Sequence, residues 1–165
     1  LVKIKIYTDG ACSNGGSWDG GAGVYVELEN EKQFYLLSEK ETTNNIVELK
    51  AFIFALEYIN KKPEILEANI MTDSGYIVDC LKFRWYENWE RNGWINAKKQ
   101  PVKNKELWQK ILKEKRKGLF KTINIVKVKS HSGINGNVIA DKLAVKGKIE
   151  QKYKNWTEVG GINEF

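Results

Sequence analysis

The sequence predicts an α/β fold in which helices pack against a mixed sheet of five strands. Three observations lead there: period-two alternation of apolar residues near the N-terminus, helix-spaced apolar residues after it, and alternation again near residue 125. Val2, Ile4 and Ile6 alternate with polar residues up to Thr8, a strand with one buried face that ends at Asp9-Gly10. A glycine-rich loop leads into two more alternating runs, Gly23–Glu29 and Gln33–Ser38, which complete an antiparallel meander. Ile46, Leu49, Ile53, Leu56 and Ile59 then recur at helical spacing across Thr43–Asn60, with Thr43 or Asn44 as cap and Pro63 beyond the end. Ala68–Thr72 reads as a short strand leading to Asp73, Gly75–Phe83 as a helix, and Lys105–Lys117 as an amphipathic helix that turns Trp108 inward. A strand over Thr122–Lys129 and a helix over Asn137–Lys148 close the pattern, and Gln151–Phe165 shows none.

With 165 residues, 42% of them hydrophobic and 29% charged, the chain has room for one real core and is neither disordered nor fibrous. No apolar run approaches the roughly 18 residues of a membrane span. The first residues alternate where a signal peptide would be solidly apolar, so a soluble cytoplasmic protein is expected. Cys12, Cys80 and the single histidine, His131, are too few for a disulfide framework or a zinc site. A metal here would be held by carboxylate oxygen, which suits magnesium or manganese.

Charge is unevenly placed. Lys82–Lys117 holds twelve basic residues and four acidic ones, whereas the net charge of the whole chain is +6, so the remainder is slightly acidic. Trp85, Trp89, Trp94 and Trp108 fall in the same stretch. Lysine and arginine neutralise phosphates, and aromatic faces stack on sugars or bases, so this interleaving is what a nucleic-acid groove needs. The plainer alternative is a solvated helix face with its tryptophans turned inward.

Four carboxylates stand where the predicted fold would gather them. Asp9 and Asp73 end apolar strands, at the rim where α/β sheets bind ligands. Glu48 lies in the first turns of the helix after the meander, and Asp141 lies early in the last helix, after a glycine-containing turn that carries His131. Singly, each has an ordinary reading as a turn, a cap or a solvated residue. Together their repulsion would be severe, and bound divalent cations are the natural remedy, in an arrangement suited to in-line displacement at phosphorus.

The carboxylates sit in longer blocks: Tyr7-Thr8-Asp9-Gly10-Ala11-Cys12, Thr42-Thr43-Asn44-Asn45 with Val47-Glu48-Leu49, and Thr72-Asp73-Ser74. After them come Trp85 through Asn88-Trp89 to Gly93-Trp94, Pro101-Val102-Lys103-Asn104 with Leu107-Trp108, and Val128-Lys129-Ser130-His131-Ser132-Gly133 with Asn137 and Ala140-Asp141. Together these blocks resemble the ribonuclease H type 1 family over almost the whole chain. The resemblance implies the ribonuclease H-like sheet, three antiparallel strands and then two parallel additions. Residues 1–150 would form the catalytic domain, with a basic Trp-rich protrusion at about 82–105, and 151–165 a tail. It further implies a monomeric endonuclease that cuts the RNA strand of RNA/DNA hybrids without strong sequence specificity, leaving 5′-phosphate and 3′-hydroxyl ends. Asp9, Glu48, Asp73 and Asp141 would hold two Mg²⁺ ions, replaceable by Mn²⁺, with Asp9 bridging them. One ion would acidify the attacking water and the other stabilise the leaving oxygen. His131 would assist proton movement or product release.

The resemblance also assigns a binding side. Asn14, Asn44 and Asn45 match contacts across the minor groove, where RNA displays its 2′-hydroxyls. Thr43 and Asn104 match a pocket for a DNA-strand phosphate, and Trp85 and Trp89 match a channel beside the deoxyribose backbone. Trp94, Lys98, Lys99 and Ser74 join these as nucleic-acid-binding candidates, with Cys12 as a packing or backbone contact near the groove. The chain departs from the family pattern in four places: Gly75 stands where many members carry a longer side chain that touches RNA, Glu41 where some place an arginine on the DNA phosphate, the spacing from Asp73 to Trp85 is one residue longer than in the best-known bacterial members, and the glycine loop around Trp18 is altered; none touches a metal ligand. Two rival readings are a decayed binding module, against which the four intact carboxylates argue, and a DNA-cutting enzyme on the same fold, against which the Thr43-Asn44-Asn45 run and the Trp-rich basic block argue.

Overall fold

The computed structural model describes residues 2–13, 18–129 and 135–161. Three antiparallel strands come first, β1 (Val2–Cys12), β2 (Gly20–Glu27) and β3 (Lys32–Glu39), followed by α1 (Asn44–Asn60) and β4 (Ile65–Thr72). Three helices then run α2 (Gly75–Lys82), α3 (Trp85–Arg91) and α4 (Lys105–Lys117), and β5 (Thr122–Lys127), α5 (Asn135–Glu150) and a short β6 (Thr157–Val159) complete the chain. The sheet order is β5-β4-β1-β2-β3-β6, with β4 parallel to both β1 and β5 and every other pair antiparallel. The five expected strands are all present, in the expected mixed arrangement. A sixth comes from the tail, where Val159 pairs with Phe34 and Thr157 with Leu36.

Several boundaries differ from expectation, β4 for instance beginning at Ile65 and not Ala68, and at two of them glycine is the cause. β1 does not end at Asp9-Gly10 but continues to Cys12, and β2 begins at Gly20 instead of Gly23, with Asp9 opposite Gly23 and Cys12 opposite Gly20. Glycine usually weakens a strand, but here it permits close approach by a helix. A Cβ on Gly21 would lie 2.1 Å from the Ala144 carbonyl oxygen and one on Gly20 2.5 Å from Thr42 Cγ2. Neighbouring strand residues face opposite ways, so α5 lies on one face of the sheet and the start of α1 on the other.

α1 is buried almost all round. Beyond the expected stripe it hides Val47, Ala51, Phe52, Ala55 and Tyr58, because α4 packs along it with Trp108, Ile111 and Leu112 buried. Each large apolar side chain removed from water this way contributes about 1.5–3 kcal/mol. Thr43 is its N-cap: the hydroxyl accepts a hydrogen bond from the Ile46 amide at 3.3 Å. On the other face Tyr7, Tyr25 and Leu36 pack with Ile139, Ala140 and Leu143 of α5. Among the described residues no helix is long and apolar enough to cross a membrane. Both cysteines are free, and burial pushes the Cys80 thiol up to about 12.

Candidate active site

The geometry of the site follows from unequal strand lengths. β4 pairs with β1 only as far as Thr72 opposite Thr8, while β1 runs on to Cys12. Beside Asp9 the sheet therefore has a notch, bordered by the residue that follows β4, Asp73. Asp9 is not at a strand end, as expected from sequence, but within β1 at the level where its parallel neighbour stops. α1 brings Glu48 from one face of the sheet and α5 brings Asp141 from the other. A Cβ on Gly10 would lie 2.7 Å from the Glu48 amide nitrogen, so only glycine lets α1 come this close.

The four carboxylates line one cleft of about 400 Å³. Oxygens of Asp9, Glu48 and Asp73 lie within 4.8 Å of one another. Asp9 and Glu48 are only 4% and 3% exposed, which decides their electrostatics. Burial foremost, then the charges of Glu48 and Asp73 and the hydrogen-bonding contacts with Glu48 and Asp141, push Asp9 far above the ordinary carboxylate range. Burial raises Glu48 as well, although the neighbouring Asp9 carboxyl and the Gly10 backbone pull it partly back. Glu48 Oε2 is buried with no hydrogen-bond partner among the described residues, an orphan atom that costs stability. No Lys, Arg or His is among the described residues that line the cleft. A hard-oxygen donor set of this kind, with one oxygen unpaired, fits a divalent cation.

Around the carboxylates the structure brings together several expected binding residues. Asn44 and Asn45, exposed in the first turn of α1, and Ser74 line the same cleft. Ser74 also caps α2, its hydroxyl accepting from the Ile77 amide at 3.2 Å. Cys12 Sγ lies 3.4 Å from the Thr42 carbonyl oxygen, just before the start of α1. A residue the sequence did not single out, Tyr76, also lines the cleft, and its hydroxyl accepts from Trp108 Nε1 at 2.8 Å and from Asn104 Nδ2 at 3.5 Å. Tyr76 therefore ties the cleft to the start of α4, where the basic stretch returns to the body.

That stretch runs from the end of α2 through α3 to α4. An isolated bridge between Ile95 and Pro101 closes a turn that presents Lys98 and Lys99 to solvent. Its tryptophans divide their work: Trp85 is 41% exposed and stacks on Phe83, whereas Trp89 and Trp94 are half-buried, 5.8 Å apart, with Trp89 also against Trp108. The inward-facing alternative thus describes Trp108 fully and Trp89 and Trp94 in part, while Trp85 stays exposed. Asn14 and His131 lie outside the described residues.

The family model for RNase H matches residues 2–149. The chain belongs to the ribonuclease H family. It is 38% identical over 146 residues to the ribonuclease H of Clostridium botulinum strain Hall, covering 87% of this chain and 94% of that one. It is 41% identical over 154 residues to the ribonuclease H of Alcanivorax borkumensis, covering 93% and 97%. Among solved structures, the ribonuclease H fold recurs in a type 1 RNase H with the type 2 active-site motif, at a TM-score of 0.79 and 29% identity over 97% of this chain and 79% of that one. The PFV RNase H domain follows at 0.70 and 27%, over 91% and 96%. As a ribonuclease H this chain is a metal-dependent endoribonuclease that cleaves the RNA strand of RNA/DNA hybrids, and its acidic cluster is a divalent-metal site.

Proposed function

We propose that hydrolysis proceeds with two divalent cations, Mg²⁺ with Mn²⁺ able to substitute, held by Asp9, Glu48, Asp73 and Asp141, and leaves 5′-phosphate and 3′-hydroxyl ends without strong sequence specificity. The observation that carries this reading is the convergence of four carboxylates on one cleft, two of them buried and one with an unpaired oxygen. Bound there, divalent cations neutralise the carboxylates, acidify the attacking water and offset charge on the leaving 3′ oxygen. Asp9, beside Glu48, Asp73 and Asp141, would be the ligand shared between the two ions. Glu48 is fixed by burial in α1, and Asp73 and Asp141, half-buried, face the substrate side. Asn44 and Asn45 stand beside the carboxylates where they read the 2′-hydroxyls across the minor groove, which selects the RNA strand. Thr43 and Asn104 take a DNA-strand phosphate, and Trp85, with Trp89 and Trp94 behind it, borders the deoxyribose backbone. Lys98 and Lys99 add phosphate contacts, and His131 assists proton movement or product release.

Incubation with a labelled RNA/DNA hybrid and Mg²⁺ tests the reading, with EDTA, duplex RNA and duplex DNA as controls. Cutting confined to the RNA strand of the hybrid and abolished by EDTA is the expected result; binding without cutting, in Mn²⁺ as well, would refute it. The protrusion has its own test. Replacing Lys98, Lys99 and Lys103 by glutamine together should raise KM several-fold and reduce the slope of log KM against log salt by about two to three, one phosphate contact being worth roughly 0.7–0.9. An unchanged slope would make the protrusion a merely solvated face.

A further inference from the structure

Gly75 leaves a gap at the rim of the cleft, and a lysine from another element occupies it. Gly75 lines the cleft together with Asp73 and Ser74, at the first turn of α2. The Nζ of Lys127 lies 3.5 Å from the point that a Cβ on Gly75 would take. Lys127 is the last residue of β5 and pairs with Thr72, next to Asp73, while the following Val128 amide donates to the Thr72 carbonyl at 2.9 Å. Its backbone is thus pinned to the rim by strand pairing. Along β5 the side chains of Ile123 and Ile125 pack into the core, and Lys127, two residues on, continues that face just where the core gives way to the opening of α2. The side chain is exposed, and among the described residues its ammonium makes no hydrogen bond or ion pair.

A lysine whose backbone is held at the rim and whose ammonium has no partner among the described residues, beside a cleft that must receive a polyanion, calls for an anionic ligand. We infer that Lys127 binds a backbone phosphate of the RNA strand at the rim of the cleft and supplies, from β5, the contact for which Gly75 has no side chain. The inference rests on the hybrid-cleaving reading above. The strand that passes over the four carboxylates is the one being cut, so the phosphates reaching Lys127 belong to RNA. A point charge on a flexible stem recognises the phosphate and not the base, in keeping with cleavage indifferent to sequence. Because the cleft itself is acidic, a cation at its edge also offsets part of the repulsion met by an incoming strand.

Steady-state cleavage of a hybrid by wild type, Lys127→Gln, Lys127→Arg and a remote surface control, Lys154→Gln, tests this over a salt series. Lys127→Gln should raise KM three- to tenfold with kcat within about twofold, and lower the salt slope by roughly 0.7–0.9, the share of one phosphate. Lys127→Arg should restore most of the loss, and Lys154→Gln should match wild type. A KM and slope for Lys127→Gln no different from the control, or a fall in kcat at constant KM, would overturn the inference while wild-type cleavage left the function intact. Failure of the wild type to cut the hybrid would overturn the function itself, and the inference with it.

Discussion

Asp73→Asn should lower divalent-dependent cleavage of the hybrid by at least about a thousandfold while hybrid affinity changes less than about threefold. The side chain is half-exposed at the end of β4, so the substitution leaves the core untouched and the chain folded. What it removes is one negative oxygen within 4.8 Å of the oxygens of Asp9 and Glu48. Losing a ligand to a catalytic ion forfeits several kcal/mol of transition-state stabilisation, and each 1.36 kcal/mol is tenfold in rate. On the proposed reading, affinity resides elsewhere, in the basic stretch and the rim. Single-turnover cleavage and equilibrium binding of the same hybrid check both halves, and full activity in the variant would sink the assignment.

The second large effect has the opposite sign for stability. Asp9→Asn should abolish cleavage and yet raise the melting temperature of the metal-free protein at neutral pH. Burial and neighbouring carboxylates hold the folded-state Asp9 well above its unfolded value. The folded state therefore binds the proton more tightly than the unfolded one, and stability falls as pH climbs from about 4 through neutrality toward the raised value. At pH 7 the ceiling on this loss is about 4 kcal/mol, and relaxation brings the expected gain to about 1–3 kcal/mol. For a chain of this size that is roughly 2–4 °C per kcal/mol. The difference between variant and wild type in EDTA should shrink toward pH 4, and saturating Mg²⁺ should stabilise the wild type more than the variant. A variant less stable than wild type in EDTA at pH 7 would overturn the account.

Both arguments begin from carboxylates that stand out in the sequence, and so does most of the fold. The alternation of Ile4 and Ile6 and the spacing of Leu49, Ile53 and Leu56 mark β1 and α1, because hydrophobic period reports directly on which face is buried. What the sequence hides depends on partners distant along the chain. Gly20 and Gly21 read as loop because glycine is a local signal for turns, whereas their strand exists to let two helices approach from opposite faces. β6 is three residues long and carries no periodicity of its own; it is defined by pairing with β3, with Trp156 beside it packed on Phe54 at 4.5 Å. Among the site residues, the family motifs mark Asp9, Glu48, Asp73 and Asp141 individually, but the burial that separates the first two from the others comes only from three-dimensional packing. Tyr76 and Lys127 lie in no motif, because their relevance comes from contact with Trp108 in one case and from an empty space at Gly75 in the other.

The order in which the sheet is synthesised gives the β1–β4 pairing a further significance. Strands β1, β2 and β3 leave the ribosome first and can zip into a meander at once, but the outer edge of β1 then stays unpaired until β4 has been made. An exposed strand edge of alternating isoleucines is a template for association with other chains. Docking of β4 covers that edge and passes the open position on to β4 itself, which β5 then covers, and the same docking creates the notch from which Asp73 faces Asp9.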